Sequence, residues 1–187
     1  MSDIRQAWQR QKRISYLKCG DVLLYKPAKR SWIGHAISWL SLGGQYCHAA
    51  VYIGNSQIIE SHMTTGVHQI RIKNSDCYNI DIWRLPRKLS RSEEIKLTNW
   101  YVSKLDEKYD LAAWPSTFSK SVLGSIFGFA NFRKSRPILN NDKAWYCSEL
   151  VSTGYYKVLN INLVPELHFM CQTPSDLARG VLERVTV

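Results

Sequence analysis

The sequence feature that most constrains the fold is a series of short β-type segments followed by segments with helical spacing. The β-type segments lie between residues 20 and 84, several of them alternate apolar with polar residues, and turn formers such as those at 54–56 separate them. Side chains that alternate between two faces indicate strands, and tight turns join antiparallel neighbours. The capping box of Ser90 and Glu93 predicts a helix from there to about Leu105, and Thr173 followed by Pro174 predicts a second helix of one or two turns. The order of these segments predicts an α+β fold with a curved antiparallel sheet.

The chain has 187 residues, which suits one domain, and we assign that domain to residues 18–187. Residues 1–17 are polar and basic and predict an arm or a short helix. The segment 31–42 predicts a short helix, and the apolar segment 117–132 predicts either a membrane-touching surface or a segment packed over the core. Because the sequence shows no signal peptide and no long apolar run, we expect a cytoplasmic protein.

The charge and the cysteines narrow the class of protein. The net charge of +10 favours an anionic partner, such as a membrane surface, a wall polymer or nucleic acid, without choosing among them, and no specific nucleic acid is predicted. The five cysteines are an odd number and form no C-x-x-C pair. This pattern disfavours a disulfide framework and fits a reducing compartment.

The stretch 141–151 places Cys147 at the predicted start of a helix, after the capping residue types at 140–142. The first turn of a helix offers free N–H groups and the positive end of the dipole, which favour a thiolate and can hold an oxyanion. A thiolate is the form of cysteine that attacks carbonyl carbon. The alternative is a buried structural cysteine on an amphipathic helix.

A nucleophilic cysteine needs a base, and His48 is the best of the five histidines because it lies in a predicted strand with Glu60 nearby. A three-residue hairpin loop would place Glu60 opposite Ala50, on the face of His48, whereas a two-residue loop would place it on the other face. The alternative for His48 is an ordinary sheet histidine. The other candidates are weaker: His62 and His68 are expected to be solvated or edge residues, and a zinc site from His62, His68 and Cys77 lacks the short spacing of metal ligands.

These motifs, taken in their order, resemble the circularly permuted NlpC/P60 superfamily, and more narrowly the YiiX/YebB-like hydrolases with a papain-like fold. The resemblance runs from about Lys18 to Leu177. It rests on the motifs GDVLL at 20–24, HAAVYIG at 48–54, IIE at 58–60, WYCSELV at 145–151 and TPSDL at 173–177. It implies a sheet that bears the histidine and packs against the helix that bears the cysteine. The sheet comes before the helix in the chain, which is the reverse of the order in papain.

The resemblance further implies a catalytic triad in which Cys147 is the nucleophile, His48 the base and Glu60 the residue that orients His48, without cofactor or metal. Glu149 competes for the third role, but a residue two positions after Cys147 points about 200° away on a helix, so we assign it a supporting role. The backbone N–H of Cys147 is the expected oxyanion donor. Tyr25 and Tyr46 are the candidates for a second one.

The implied activity is that of a thiol hydrolase, an amidase or cysteine peptidase acting on a peptide, such as one derived from the cell wall. The first alternative is a lipid acyl hydrolase or acyltransferase with the same triad, so that the expected partner is a peptide or an acyl-bearing substrate. The second alternative is an inactive binding module for anionic ligands. The intact set of Cys147, His48 and Glu60 disfavours that last alternative.

Overall fold

The structure is a computed structural model that describes residues 14–27, 44–72, 79–110 and 144–186. The segments 31–42 and 117–132, for which the sequence predicts a short helix and an apolar surface or packed segment, lie outside the described residues. Most of the predicted arm 1–17 also lies outside them.

The described strands form one antiparallel sheet of six strands, in the order β4-β3-β2-β1-β5-β6. Their bounds are Val22–Tyr25 for β1, His48–Gly54 for β2, Gln57–His62 for β3, Gly66–Arg71 for β4, Ile80–Arg84 for β5 and Glu183–Arg184 for β6. The predicted α+β class and the antiparallel pairing of residues 20–84 are therefore confirmed, and β4 is the edge strand next to β3.

Three α-helices are described: α1 (Arg91–Val102), α2 (Cys147–Leu159) and α3 (Pro174–Leu177), with a 3₁₀ turn at Phe169–Cys171. Two of the predicted N-terminal signals are confirmed. Ser90 and Glu93 form the capping box of α1, and Thr173 caps α3 with proline at its first turn. Both caps depend only on residues within one turn, which is why the local sequence predicts them.

The two faces of the sheet carry different apolar clusters, as the alternation along β2 predicts. Ala49 and Val51 face a core that includes Leu150, Val151 and Tyr155 of α2. Ala50 and Tyr52 belong to the cluster on the other face. Burying one face of the sheet against α2 holds the helix in place through nondirectional apolar contact.

The hairpin between β2 and β3 combines a two-residue turn with a register shift. Gly54 pairs with Gln57 across Asn55 and Ser56, whose φ angles are 51° and 58°. The pairing shifts by one residue between Tyr52 and Gly54, so that Ala50 faces Glu60. The sequence prediction that a two-residue turn would place Glu60 on the wrong face is therefore incorrect. The irregularity adds one residue to β2 and returns Glu60 to the face of His48.

Close packing joins α1 to α2. A β-carbon on Gly154 would lie 2.5 Å from the Tyr101 ring, so only glycine allows this approach. The Tyr101 hydroxyl donates to the Val151 carbonyl over 2.8 Å. These contacts fix the middle of α2 and with it the direction in which its N-terminus points.

Candidate active site

Cys147 is the first residue of α2, as predicted, but the cap of this helix differs from the expectation. The N-cap position belongs to Tyr146, not to one of the capping residue types at 140–142. The Glu149 carboxylate accepts the Tyr146 N–H at 3.5 Å and closes the first turn from within the helix. Glu149 is completely buried and lies in the first turn of α2, the end at which the helix dipole favours an acidic side chain. This agrees with its predicted supporting role.

The chain that leads into α2 is held on both sides. The Trp145 N–H donates to the Lys108 carbonyl over 2.9 Å, and the Trp145 carbonyl accepts the Ser61 hydroxyl at 2.5 Å. The Tyr146 hydroxyl donates to the Met170 carbonyl. Because these bonds fix the residues immediately before Cys147, the position of its sulfur depends little on rotation of the chain.

The loop before His48 is held by the predicted TPSDL motif. The Ser175 hydroxyl accepts the Tyr46 N–H and donates to the Tyr46 carbonyl, both over 3.2 Å. The Tyr46 hydroxyl donates to Asp81 over 2.6 Å. Tyr46 is therefore committed to Asp81, and its predicted role as the second oxyanion donor is wrong.

The structure brings together the three residues of the predicted triad. Nε2 of His48 lies 2.9 Å from a carboxylate oxygen of Glu60. The His48 ring and the Cys147 thiol lie close enough for each to shift the pKa of the other, and Nδ1 is the ring nitrogen that does not contact Glu60. His48 and Cys147 are each the first residue of their element, which lets them meet although α2 packs on the other face of the sheet.

The electrostatics of the pair favour a thiolate and an imidazolium. Burial raises the pKa of the Cys147 thiol. The charge and hydrogen-bonding capacity of His48, together with the N–H groups of Ala49 and Ser148, lower this pKa by more than burial raises it. Burial alone would lower the pKa of His48, but Cys147 and then Glu60 raise it to about 10. Each charge therefore stabilises the other, which is the arrangement of an activated nucleophile.

Glu60 remains a carboxylate in this setting. Its side chain is about nine-tenths buried, which by itself raises its pKa, but the hydrogen bond from His48 and the nearby charges of His48, His68 and His62 lower it overall. A buried carboxylate that stays charged beside an imidazole can fix the ring and its tautomer. That is the role the sequence predicts for it.

Two tyrosines lie close to the pair. The Tyr25 ring stands edge-on to His48 with centroids 5.2 Å apart, so its candidacy as an oxyanion donor stays a prediction. The pKa of Tyr109 is raised, first by burial and then by the negative charge of Cys147. The sequence prediction did not include Tyr109, because it reaches the site from the segment after α1, far from Cys147 along the chain.

The remaining histidines differ from the expectation in one respect. His62 is exposed, as expected, and its Nδ1 bonds Thr64. His68 lies on the edge strand, as expected, but its Nε2 is 3.4 Å from Glu60, so it is more than a solvated side chain. The sequence analysis missed this contact. The pairing of β3 with β4, which places His68 opposite Glu60, is the signal that would have found it.

Among the residues that the structure describes, no group of three or more His, Cys, Asp or Glu side chains is arranged to hold a metal ion. Nε2 of His48 and Nε2 of His68 both point at Glu60 oxygens. Cys77, part of the zinc alternative, lies outside the described residues.

Over the described ranges, the helices are too short or too polar to cross a bilayer.

Comparison with known proteins gives a match at the level of structure. No protein-family model matches the sequence, and no curated protein does. Among solved structures, the chain is similar to the metalloprotein YiiX from Escherichia coli O157:H7, with a TM-score of 0.62 and 16% sequence identity. The match covers 90% of this chain and 96% of that one. The chain therefore has a YiiX-like fold over most of its length.

Proposed function

We propose that this protein is a cysteine hydrolase that cleaves an amide bond, with Cys147 as nucleophile, His48 as base and Glu60 as the residue that orients His48. One observation carries the proposal: the His48 imidazole lies between the Glu60 carboxylate, 2.9 Å from its Nε2, and a buried thiol at a helix N-terminus whose pKa it lowers. A structural cysteine needs neither an imidazole partner nor a carboxylate behind it.

The order of the elements supports a permuted papain-like arrangement. His48 lies on β2 and comes 99 positions before Cys147 on α2 (147 − 48), which reverses the order that papain shows. The YiiX-like fold is consistent with this arrangement and with the resemblance to the permuted NlpC/P60 group. The site geometry, and not the fold, is what supports hydrolysis.

The proposed reaction begins with the Cys147 thiolate, which attacks the carbonyl carbon of the amide. The negative charge moves to the carbonyl oxygen, where the N–H groups of the first turn of α2, including that of Cys147, can stabilise it. The C–N bond then breaks and the His48 imidazolium gives its proton to the departing amine, which leaves a thioester on Cys147. His48 next takes a proton from water, the water oxygen attacks the thioester, and a carboxylic acid and the free thiol are released.

Competitive alkylation tests the activated thiol. The protein is treated with iodoacetamide at pH 7, and the modified peptides are quantified by mass spectrometry over time. We expect Cys147 to react well before Cys19, Cys47 and Cys171. Cys147 is buried, but its thiolate is reactive, whereas a thiol that stays protonated reacts slowly. Equal rates for all cysteines would remove the activated thiolate and with it the proposal.

The acyl group carried by Cys147 identifies the substrate. After incubation with cell lysate and acid quenching, the mass of the peptide that contains Cys147 reports any thioester formed. A peptidyl mass supports the amide hydrolase, and a fatty acyl mass favours the lipid alternative instead. The Cys147→Ala variant is the matched control. An adduct that persists in this variant, or none on Cys147 in the wild type, would contradict catalysis through a thioester.

A further inference from the structure

The Glu60 carboxylate contacts two histidines, and only one of them belongs to the proposed triad. One oxygen lies 2.9 Å from Nε2 of His48, and the other lies 3.4 Å from Nε2 of His68. Glu60 is 7% exposed, so few water molecules can take the place of either contact. Both oxygens of the orienting residue are therefore held by protein groups.

His68 reaches Glu60 because of the strand register. The two residues are direct partners in the β3–β4 pairing, and direct partners on neighbouring strands point to the same face of the sheet. Nδ1 of His68 lies 3.0 Å from the Gly66 carbonyl and 2.9 Å from the Thr65 hydroxyl. The Gly66 carbonyl and the Glu60 carboxylate both only accept, so the two contacts together belong to the imidazolium form, in which Nδ1–H anchors the ring from behind and Nε2–H faces Glu60.

His62 provides an internal comparison. Its ring lies 6.5 Å from that of His48 and 6.3 Å from that of His68, between centroids. Its hydrogen bonds go to Thr64, on the exposed turn between β3 and β4. His62 thus supplies a neighbouring imidazole without the direct approach to Glu60 that His68 makes.

The geometry points to His68 as a positioning residue for the reaction proposed above. It holds one oxygen of Glu60 so that the other stays aligned with His48. The proposal rests on the proposed function for its purpose, but not for its test. A carboxylate held at one oxygen can rotate about its terminal bond, whereas a second contact removes that freedom and fixes the imidazole that depends on it.

The test measures the titration of His48 by NMR of the full protein with ¹⁵N-labelled histidine. In His68→Ala, Glu60 loses its second contact, and we expect the pKa of His48 to fall, with proton binding about threefold weaker or more. In His68→Gln, an amide N–H takes the place of Nε2, and we expect the wild-type titration to return. Cys147 alkylation at pH 7 should slow severalfold in His68→Ala and recover in His68→Gln.

The direction of the change separates positioning from charge alone. The other groups that face these imidazoles are Glu60 and His62 from β3, Tyr25 from β1 and Cys147 from α2. If His68 acted only as a neighbouring positive charge, its removal would raise the pKa of His48, because one repulsion would be lost. His62→Ala, which removes a comparable imidazole, should leave the titration unchanged or raise it slightly.

A double-mutant cycle completes the test. In a Glu60→Gln background, His68→Ala should have little further effect on His48, since His68 acts through Glu60. A raised or unchanged His48 pKa in His68→Ala, or the same effect in both backgrounds, would overturn the proposal. The titration can be repeated in Cys147→Ala, so the result stands even if Cys147 proves to be unreactive.

Discussion

The two ends of α2 carry polar networks of different kinds, and each has a cysteine beside it. At the N-terminus, the charge of His48 lowers the pKa of Cys147, and Cys147 raises the pKa of His48, so both groups can gain or lose a proton. At the C-terminal half, Asp21 holds Arg84 through contacts of 2.6 and 2.7 Å, and Arg84 also reaches the Tyr16 carbonyl. Arginine does not titrate in proteins, so this second network keeps its charge whatever the pH near neutrality.

The cysteines at the two ends show what a base contributes. The thiol of Cys19 bonds Thr98, and its pKa is raised, first by burial. The pKa of Cys147 is lowered although burial opposes this, because His48 faces it. Burial by itself therefore makes a thiol inert, and the imidazole reverses the effect.

A cavity among the described residues lies away from the candidate site. A cavity of about 630 Å³ lies at the Cys19 end, lined by Asp21, Arg84 and Tyr155 among others. Its cysteine has a raised pKa, and its strongest basic group is paired with Asp21. A cavity with a cysteine beside it therefore lacks the pairing of thiol and imidazole on which the proposed function rests.

The comparison is tested first by Asp21→Asn, which should destabilise the protein most. The Asp21 side chain is 1% exposed and Arg84 is 24% exposed, so the substitution leaves a largely buried guanidinium without its carboxylate. We expect a loss of about 3 kcal/mol in the free energy of unfolding, a factor of about 10² in the folding equilibrium. Urea denaturation measures it. Cys147 alkylation in the folded protein should stay unchanged.

Arg87→Gln is the matched control for this substitution. Arg87 pairs with Glu93 over 2.7 Å, but its side chain is 46% exposed, and such pairs contribute about 0–1 kcal/mol. If Asp21→Asn proved as mild as Arg87→Gln, or if it slowed Cys147 alkylation as well, the two ends of α2 would not be independent.

His48→Ala should have the next largest effect, now at the N-terminal end. Without the imidazole, burial dominates and the pKa of Cys147 rises, as that of Cys47 does to about 11. At pH 7 most of the thiolate is lost, and we expect Cys147 alkylation to slow by about 10- to 100-fold. The rate for Cys19 should not change, which makes it the internal control of the same experiment.

The pH profile of alkylation gives the sign of the effect. In the wild type the pKa of Cys147 is lowered, so as the pH decreases the alkylation rate should fall only below neutrality. In His48→Ala the pKa of Cys147 is raised, so the rate should already fall above neutrality. A profile that is the same in both proteins would show that His48 does not set the ionisation of Cys147.

The sequence predicted the strands, the caps of α1 and α3 and the start of α2, because neighbouring residues determine each of these. It did not decide on which face of the sheet Glu60 lies. That depends on a register shift between Tyr52 and Gly54, and the turn sequence is compatible with two registers. The N-cap of α2 was misjudged because Glu149 caps the helix from within.

The contacts that the sequence did not reveal all join distant parts of the chain. His68 meets Glu60 only once the β3–β4 register is known, and Tyr109 nears Cys147 only when the segment after α1 is folded. The commitment of Tyr46 to Asp81 likewise joins a loop to β5. Residue types and the family resemblance thus predicted the three residues of the proposed triad, whereas the groups around them required the fold.

The smallest effect is expected from Glu60→Gln, which keeps the shape of the side chain and removes its charge. His48 loses one of the two groups that raise its pKa, while Cys147, the larger of them, remains. The pKa of Cys147 should therefore rise only moderately, and alkylation at pH 7 should slow about three- to tenfold.

The stability of Glu60→Gln gives a second measurement. Because the folded pKa of Glu60 is lowered from 4.5, its contribution is complete above that value and is lost as the pH falls through the folded pKa. Urea denaturation between pH 6 and pH 3 should thus show a shallower loss of stability in Glu60→Gln than in the wild type. Equal slopes would mean that the carboxylate at this end of α2 contributes no more to folding than a neutral amide, and the contrast with Asp21 would then extend to stability as well as to chemistry.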